Sequence, residues 1–200
     1  MAHYFTNDDV KSEERIIKVI INNTDFKFIT DNGVFSKNGL DFGTRSLLEN
    51  IGNIDGDILD FGCGWGPIGI YIAKVNGTLV DMVDINERAL NLSKKNADLN
   101  RVLVNVFKSD IYSNIDKKYD YIVTNPPIRV GKKVLYKIIG DSLKHLKDNG
   151  KLYFVINKNQ GAKSLLNDLE KTAKVELVKK NKGFYIICAQ NRWLFWRKSL

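Results

Sequence analysis

Cysteine, histidine and proline are scarce in this chain, whose 200 residues include two, two and three of them. Cys63 and Cys188 make no evident disulfide framework, and with His3 and His145 they form no metal-binding cluster along the sequence. We therefore expect a reducing compartment and no metal site.

Long apolar runs are also absent. The sequence has no run of 18 or more apolar residues and no apolar signal segment near its start. We therefore predict a cytoplasmic chain that is neither exported nor membrane-spanning. No internal repeat or low-complexity linker divides it, so residues 1–200 are predicted to form a single domain.

Positive charge is in excess. The chain has 31 Lys and Arg residues against 23 Asp and Glu residues, a formal net charge of +8. This excess favours an anionic partner such as RNA, although basic proteins without nucleic-acid ligands exist.

A glycine-rich turn separates an apolar run, residues 58–61, from a predicted helix that begins at Pro67. Residues 60–66 read DFGCGWG. Alternate glycines allow positive φ angles and let a ligand lie against the backbone near the helix N-terminus. The candidate ligand-binding residues of this turn are Gly62, Cys63 and Gly64.

Three interpretations of the turn remain open: a methyl-donor site, a dinucleotide site and a turn without a ligand. Residues 64–69 match G-x-G-x-x-G, but it is Gly62 that follows the strand directly, which disfavours the dinucleotide. Asp60 also suits a ligand with an ammonium group, because its charge would repel a pyrophosphate.

Acidic residues follow the next two predicted strands. Asp84 ends the strand 78–84, where βαβ units carry a ribose-binding carboxylate, although it could instead cap the following helix. Asp110 follows a strand near residues 102–107 and could accept the amino group of adenine, or cap a helix. Their neighbours Ile85 and Ile111 are predicted to contact the same ligand.

A further strand, residues 119–124, runs directly into Asn125, Pro126, Pro127 and Ile128. The prolines stiffen the loop, and the carbonyls of Asn125 and Pro126 stay free as acceptors beside the Asn125 side-chain oxygen. Such acceptors could orient an exocyclic amino group for alkylation. A plain Asn-Pro turn is the alternative.

Together these motifs resemble the class I methyltransferases of the small-domain group, which includes ribosomal RNA guanine-N2 methyltransferases. The upstream residues 33–37 and 40–44 strengthen the resemblance, which extends from about His3 to Ala189. In that family the upstream stretch covers the cofactor, so the resemblance implies that Thr44 contacts the methionine end of S-adenosylmethionine. Ile128 stands where amino-methylating relatives often carry Phe or Tyr.

The resemblance implies a methyltransferase that uses S-adenosylmethionine and acts on the N2 amino group of a guanine in small-subunit ribosomal RNA. Asn125, Pro126, Pro127 and Ile128 would be its catalytic residues. Methylation of a protein glutamine or an adenine amino group is the alternative, because the same loop suits any planar amino nitrogen. A catalytically weak RNA-binding module is a third possibility. The predicted RNA contacts beside the loop are Arg129, Lys132 and Lys133.

The alternation of strands and helices predicts a doubly wound α/β sheet, mostly parallel, with one antiparallel strand near the C-terminus. The resemblance implies seven strands in a Rossmann-like fold. Residues 1–45 are expected to form a β-hairpin appendage and the cofactor-covering segment, 46–190 the core, and 191–200 a tail without an assigned role. The hairpin could pack on the core or grip RNA through its basic residues Lys11, Arg15, Lys18 and Lys27.

Overall fold

The computed structural model describes residues 10–127 and 131–191, which form a hairpin followed by alternating strands and helices. The strands are β1 (Arg15–Ile21), β2 (Thr24–Thr30), β3 (Ile58–Phe61), β4 (Val80–Asp84), β5 (Val104–Lys108), β6 (Tyr119–Thr124), β7 (Leu146–Asn157), β8 (Ala173–Asn181) and β9 (Phe184–Asn191). The helices are α1 (Phe42–Leu48), α2 (Pro67–Asn76), α3 (Glu87–Asn100), α4 (Lys132–Lys144) and α5 (Ala162–Leu169).

Seven of these strands form one sheet in the order β5-β4-β3-β6-β7-β9-β8. Strands β3 to β7 pair in parallel, whereas β9 runs antiparallel to both of its neighbours. The predicted doubly wound sheet with one antiparallel strand is confirmed. The chain order reverses between β3 and β6, and in open α/β sheets ligands bind at the carboxyl ends of the strands on either side of such a reversal.

Both faces of the sheet are covered. The hairpin, α1, α2 and α3 bury one apolar cluster, and α4 and α5 bury the other. Adjacent residues of β3 point to opposite clusters, Ile58 to the first and Leu59 to the second. A strand buried on both faces reads as a continuous apolar run, which is why β3 was recognisable in the sequence.

The N-terminal hairpin packs on the core, which confirms the first of its two predicted roles. Phe26 and Phe28 are buried, and the ring of Phe28 lies 4.9 Å from that of Trp65, centroid to centroid. Two amides of α3 bind the free edge of β2. Asn96 accepts from the N–H of Ile29 (2.6 Å) and donates to its carbonyl (2.9 Å), and Asn100 donates to the carbonyl of Lys27 (2.7 Å). These bonds satisfy backbone groups that would otherwise remain open at the edge of the hairpin.

Some predicted boundaries were wrong. The residue pattern predicts a helix over 134–146 and strands over 150–156 and 175–178. The helix ends at Lys144, and β7 starts at Leu146 because the N–H of Tyr119 bonds to the carbonyl of His145 (2.8 Å). Strand β8 extends beyond the predicted range at both ends, since a lysine-rich edge strand has little apolar periodicity. Helix α1 was not predicted at all.

Candidate active site

The turn after β3 leaves open space beside its backbone. Gly62 and Gly64 have φ angles of 70° and 56°, and a Cβ added to either would meet no atom within 4 Å. Their φ angles require glycine, and the space outside is available to a ligand. Cys63 points the other way: its thiol is buried near Ser93, and burial raises its pKa, so a ligand would meet its backbone.

Asp84 connects this turn to the end of β4. One carboxylate oxygen accepts from the N–H of Gly64 and the other from the N–H of Asn86, each at 2.9 Å. Burial raises the pKa of Asp84, and these backbone bonds oppose the rise. The helix α3 is capped by Asn86, so the alternative role of Asp84 as its cap is wrong. The side chain of Asp84 is half-buried, as is the neighbouring Ile85.

Asp60 is fully buried and turned toward α2. Its Oδ2 accepts from the N–H of Gly69 (2.8 Å), while its Oδ1 has no hydrogen-bond partner among the described residues. Burial raises its pKa to about 8, with a further contribution from the charge of Asp84. An ammonium group at the turn would favour the ionised carboxylate. In this conformation Asp60 would act on such a ligand by its charge, since its side chain does not reach the surface.

Asp110 and Ile111 lie in a turn after β5. No helix begins there, so the helix-capping alternative for Asp110 is wrong: the N–H of Ser113 bonds to its carbonyl instead (3.0 Å). The Asp110 side chain is exposed, and Ile111 packs partly against the core with a φ of 52°. Both residues stand at the same sheet edge as the glycine turn, and their contact with a ligand stays a prediction.

The loop after β6 holds a fixed amide. Asn125 donates through Nδ2 to the hydroxyl of Thr44 (2.9 Å) and to the carboxylate of Asp41 (3.3 Å). Because an ionised carboxylate accepts and cannot donate, the nitrogen of the amide must face Asp41. The amide oxygen therefore points away from this pair, and it accepts no hydrogen bond from any described residue.

The stretch before α1 completes this arrangement. Asp41 caps α1, accepting from the N–H of Thr44 (3.1 Å), so one carboxylate fixes both the helix start and the Asn125 amide. Sequence reasoning missed Asp41; the signal was an acid directly before the apolar Phe42 and a few residues ahead of Leu47 and Leu48, the pattern of an N-cap. The segment before α1 also contacts the glycine turn, where the carbonyl of Phe35 accepts from the indole N–H of Trp65 (2.9 Å). Its role as a cover over the cofactor stays a prediction.

Some of the remaining predicted residues lie within the described part of the chain, and others lie outside it. Pro126 is buried and Pro127 half-buried directly after Asn125. Lys132 and Lys133 are exposed at the start of α4, and Lys132 donates to the hydroxyl of Ser164 (3.1 Å). Other predicted residues lie outside the described part of the chain, namely Ile128, Arg129, His3 and the tail beyond residue 191.

The site thus joins the two strands at the reversal of the sheet. The glycine turn follows β3, the Asn125 loop follows β6, and the hydroxyl of Thr124 bonds to the carbonyl of Phe61 (2.7 Å) between them. An open glycine turn and a fixed amide oxygen therefore stand at the carboxyl ends of adjacent parallel strands, where open α/β sheets bind their ligands.

Comparison with known proteins identifies the family. The family model described as methyltransferase small domain matches residues 25–188. The chain belongs to this family. Membership confirms the predicted enzyme class, a methyltransferase that uses S-adenosylmethionine.

Individual relatives differ in sequence identity to this chain and in the share of their own length that it covers. The Bacillus subtilis protein YbxB is 43% identical over 196 residues, which cover 94% of this chain and 98% of YbxB. Ribosomal RNA small subunit methyltransferase C of Psychromonas ingrahamii is 41% identical over 152 residues, 73% of this chain but 44% of the relative. This chain therefore spans less than half the length of that methyltransferase.

The structural comparison agrees on the fold. The 16S rRNA N2 G1207 methyltransferase of T. thermophilus, solved with AdoMet and guanosine, superposes with a TM-score of 0.79 at 23% identity, covering 92% of this chain and 52% of that one. At this identity the likeness shows the Rossmann-like fold. In the described part of the family domain, we find no helix long and apolar enough to span a membrane.

Proposed function

We propose that this protein transfers a methyl group from S-adenosylmethionine to the exocyclic N2 amino group of a guanine in small-subunit ribosomal RNA. The observation that carries the proposal is the Asn125 amide, whose nitrogen is held by Asp41 and Thr44 so that its oxygen stays available as an acceptor. This acceptor lies beside an open glycine cradle.

The cofactor fits the residues that are present. Gly62 and Gly64 leave room for a ligand against the backbone, and Asp84 presents a half-buried carboxylate whose oxygens have further lone pairs for a ribose diol. Ile85, Asp110 and Ile111 would complete its adenosine side, Asp60 its ammonium side and Thr44 its methionine end. When bound, the cofactor supplies a methyl group on a positively charged sulfur.

The loop's own chemistry suits an amino group that is conjugated to a ring. The lone pair of such a nitrogen is delocalised, which makes it a poor nucleophile. The Asn125 side-chain oxygen and the Pro126 carbonyl would accept its two hydrogens, which turns the lone pair toward the methyl group and stabilises the positive charge that develops on nitrogen. The new N–C bond would replace the bond between the methyl group and sulfur, and the alkylated nitrogen would then release one proton to water, so no strong base is required.

Small-subunit ribosomal RNA is proposed as the substrate from two observations. The Psychromonas ingrahamii relative named ribosomal RNA small subunit methyltransferase C shares 41% identity over 73% of this chain. The net charge of +8 suits a polyanion. This substrate would place the protein in the cytoplasm, and we treat residues 1–200 as one catalytic domain with its covering segment.

The direct test is to incubate the protein with tritiated donor and three acceptors: small ribosomal subunits that lack the modification, the RNA extracted from them, and a release factor with its target glutamine. We expect label in the subunits or their RNA. Label in the release factor alone would support the protein-glutamine alternative. Absence of label in every acceptor, with normal donor binding, would favour the RNA-binding module.

A further inference from the structure

The lysines of this molecule differ at the two edges of the sheet. At the amino ends of the strands, Lys147 forms ion pairs with Asp57 and Asp120 (2.5 and 2.8 Å), and Lys117 forms one with Asp81 (2.9 Å). The hydrogen bond from Lys147 holds the pKa of Asp57 below its ordinary value. The charges of Lys117 and Lys147 are therefore neutralised by neighbouring acids.

At the opposite edge, two exposed lysines have no such partner. Lys158 follows the end of β7, and Lys182 lies in the turn between β8 and β9. Within the described ranges neither forms an ion pair. The two segments are joined, because the N–H of Lys158 bonds to the carbonyl of Gly183 (2.8 Å). Two exposed positive charges without an ion-pair partner among these residues therefore stand close together at the carboxyl edge, where the candidate active site lies.

Two partly exposed phenylalanines belong to the same patch. Phe42 begins α1 and Phe184 begins β9, and their ring centroids are 5.7 Å apart at an angle of 49°. The ammonium group of Lys182 lies 5.2 Å from the centre of the Phe42 ring. Phe42 directly follows Asp41, which binds the Asn125 amide. We call Phe42, Lys158, Lys182 and Phe184 the Phe42–Phe184 platform.

We propose that the Phe42–Phe184 platform binds the RNA nucleotides next to the target guanine, with the aromatic rings against a base and the two lysines on neighbouring phosphates. The proposal rests on the proposed RNA substrate. Aromatic rings interleaved with unpaired cations form the common surface for unstacked nucleotides, since every base has a face for stacking and every linkage has a charge. The loop residue Ile128 has no ring, and the platform supplies two.

The packing of Phe184 determines which variants are informative. A Cβ at Gly43 would lie 3.0 Å from the Phe184 ring, so this ring also supports α1 and through it Thr44. Truncation to alanine would disturb the amide of Asn125 indirectly. Phe184→Leu keeps most of the volume and removes the aromatic face, which makes it the better test.

The experiment compares the parent with Phe184→Leu, with Lys158→Glu/Lys182→Glu, and with a control that carries the same charge change at the amino edge, Lys118→Glu/Lys174→Glu. Lys118 and Lys174 are exposed and, among the described residues, form no ion pair. Donor affinity is measured by calorimetry, RNA affinity at several salt concentrations, and kcat/KM with the unmodified RNA.

We expect Lys158→Glu/Lys182→Glu to reduce the slope of log affinity against log salt by about 2, since two phosphate contacts are lost. Phe184→Leu should lower kcat/KM roughly tenfold, the effect of losing one base-stacking contact. Donor affinity should be unchanged in both variants. The amino-edge control should keep the parental salt slope, or change it by less than a third of the change seen in Lys158→Glu/Lys182→Glu.

Two failures are distinguishable. If the parent methylates RNA while the platform variants match the amino-edge control in slope and kcat/KM, the platform proposal is wrong and the substrate proposal stands. If the parent labels no RNA, or labels the release factor only, the proposed function itself fails and the platform loses its assigned ligand.

Discussion

At the scale of single residues, Asp84 has two tasks that one carboxylate can perform together. Its oxygens hold the backbone of the glycine turn and of the α3 cap, and their remaining lone pairs would accept from the proposed ribose diol. This explains why an acid stands at the end of a strand where burial opposes its ionisation. A side chain with two acceptor oxygens, such as Asp84, can bind the backbone of the turn and a ligand at the same time.

Asp84→Ala should therefore weaken both S-adenosylmethionine and its demethylated product by about ten- to a hundredfold, equivalent to about 1.5 to 3 kcal/mol. Calorimetry on the purified variant measures this, with far-ultraviolet circular dichroism to show that it is folded. Parental affinity in a folded variant would remove Asp84 from the cofactor site.

Asn125 is expected to act on the acceptor and leave the donor alone. Asn125→Ala should keep donor affinity within about twofold and reduce the single-turnover rate of methyl transfer by about 100-fold or more, because a positioned acceptor is lost in the transition state. Thr44→Ser is the matched control, since it keeps the hydroxyl that accepts from the amide. A near-parental rate in Asn125→Ala would mean that the Asn-Pro-Pro segment is only a turn.

At the scale of elements, the β3–α2 unit buries the carboxyl group of Asp60, and burial disfavours its ionised form. The folded-state pKa of Asp60, about 8, is far above its unfolded value, so the folded protein binds a proton that the unfolded chain has released. Stability contributed through this proton is present below about pH 4 and is lost as the pH rises toward 8.

The Asp60→Asn variant has no titrating group at position 60. In the absence of donor, its free energy of unfolding should therefore fall less than that of the parent as the pH rises. We expect it to gain on the parent by about 3 to 4 kcal/mol between pH 5 and pH 8, in urea unfolding at matched ionic strength. If the stability curves of parent and variant run parallel between these pH values, Asp60 is ionised in the folded protein and the assigned role of its burial is wrong.

The hairpin depends on α3 in a way that no local pattern reveals. Asn96 is fully buried and bonds to both backbone groups of Ile29 and to the carbonyl of Trp65. Asn96→Ala should cost about 2 to 4 kcal/mol of unfolding free energy, because these groups are left without partners. Asn91→Ala, on the exposed face of the same helix, should change stability by less than about 0.5 kcal/mol. Equal effects of the two substitutions would contradict this assignment.

The elements that sequence reasoning recovered are those with local signals. The β3 run, the glycine turn and Pro67 follow one another directly, and so do β6 and its Asn-Pro-Pro loop. Helix α1 has seven residues, too short for an apolar period, and its start depends on Asp41, whose second partner lies 84 positions away at Asn125. The long-range amide bonds of α3 to β2 are equally invisible in the sequence.

At the scale of the whole molecule, the sequence predicted the charge and the architecture but not how the charge is distributed. Ion pairing of Lys117 and Lys147 depends on which strand ends meet at the amino edge, a consequence of the strand order. The candidate site was predicted as a set of strand ends, and the structure adds which of them face each other. Asp41 was not predicted as a site residue because the apolar periodicity of the sequence does not reveal α1, which it caps. Phe184 was missed because its contact with α1 is long-range.

The molecule that emerges places a donor cradle and a fixed amide oxygen at the reversal of the sheet, with unpaired positive charge beside them. The proposed acceptor is the N2 amino group of a guanine in small-subunit RNA, and a direct chemical measurement can identify it.

That measurement is nucleoside analysis by mass spectrometry of the RNA after incubation of unmodified small subunits with isotopically labelled donor. The account predicts that the labelled nucleoside is N2-methylguanosine, that it maps to one position, and that Asn125→Ala leaves it nearly absent. Label in N6-methyladenosine, or label found in protein with none in RNA, would contradict the claim.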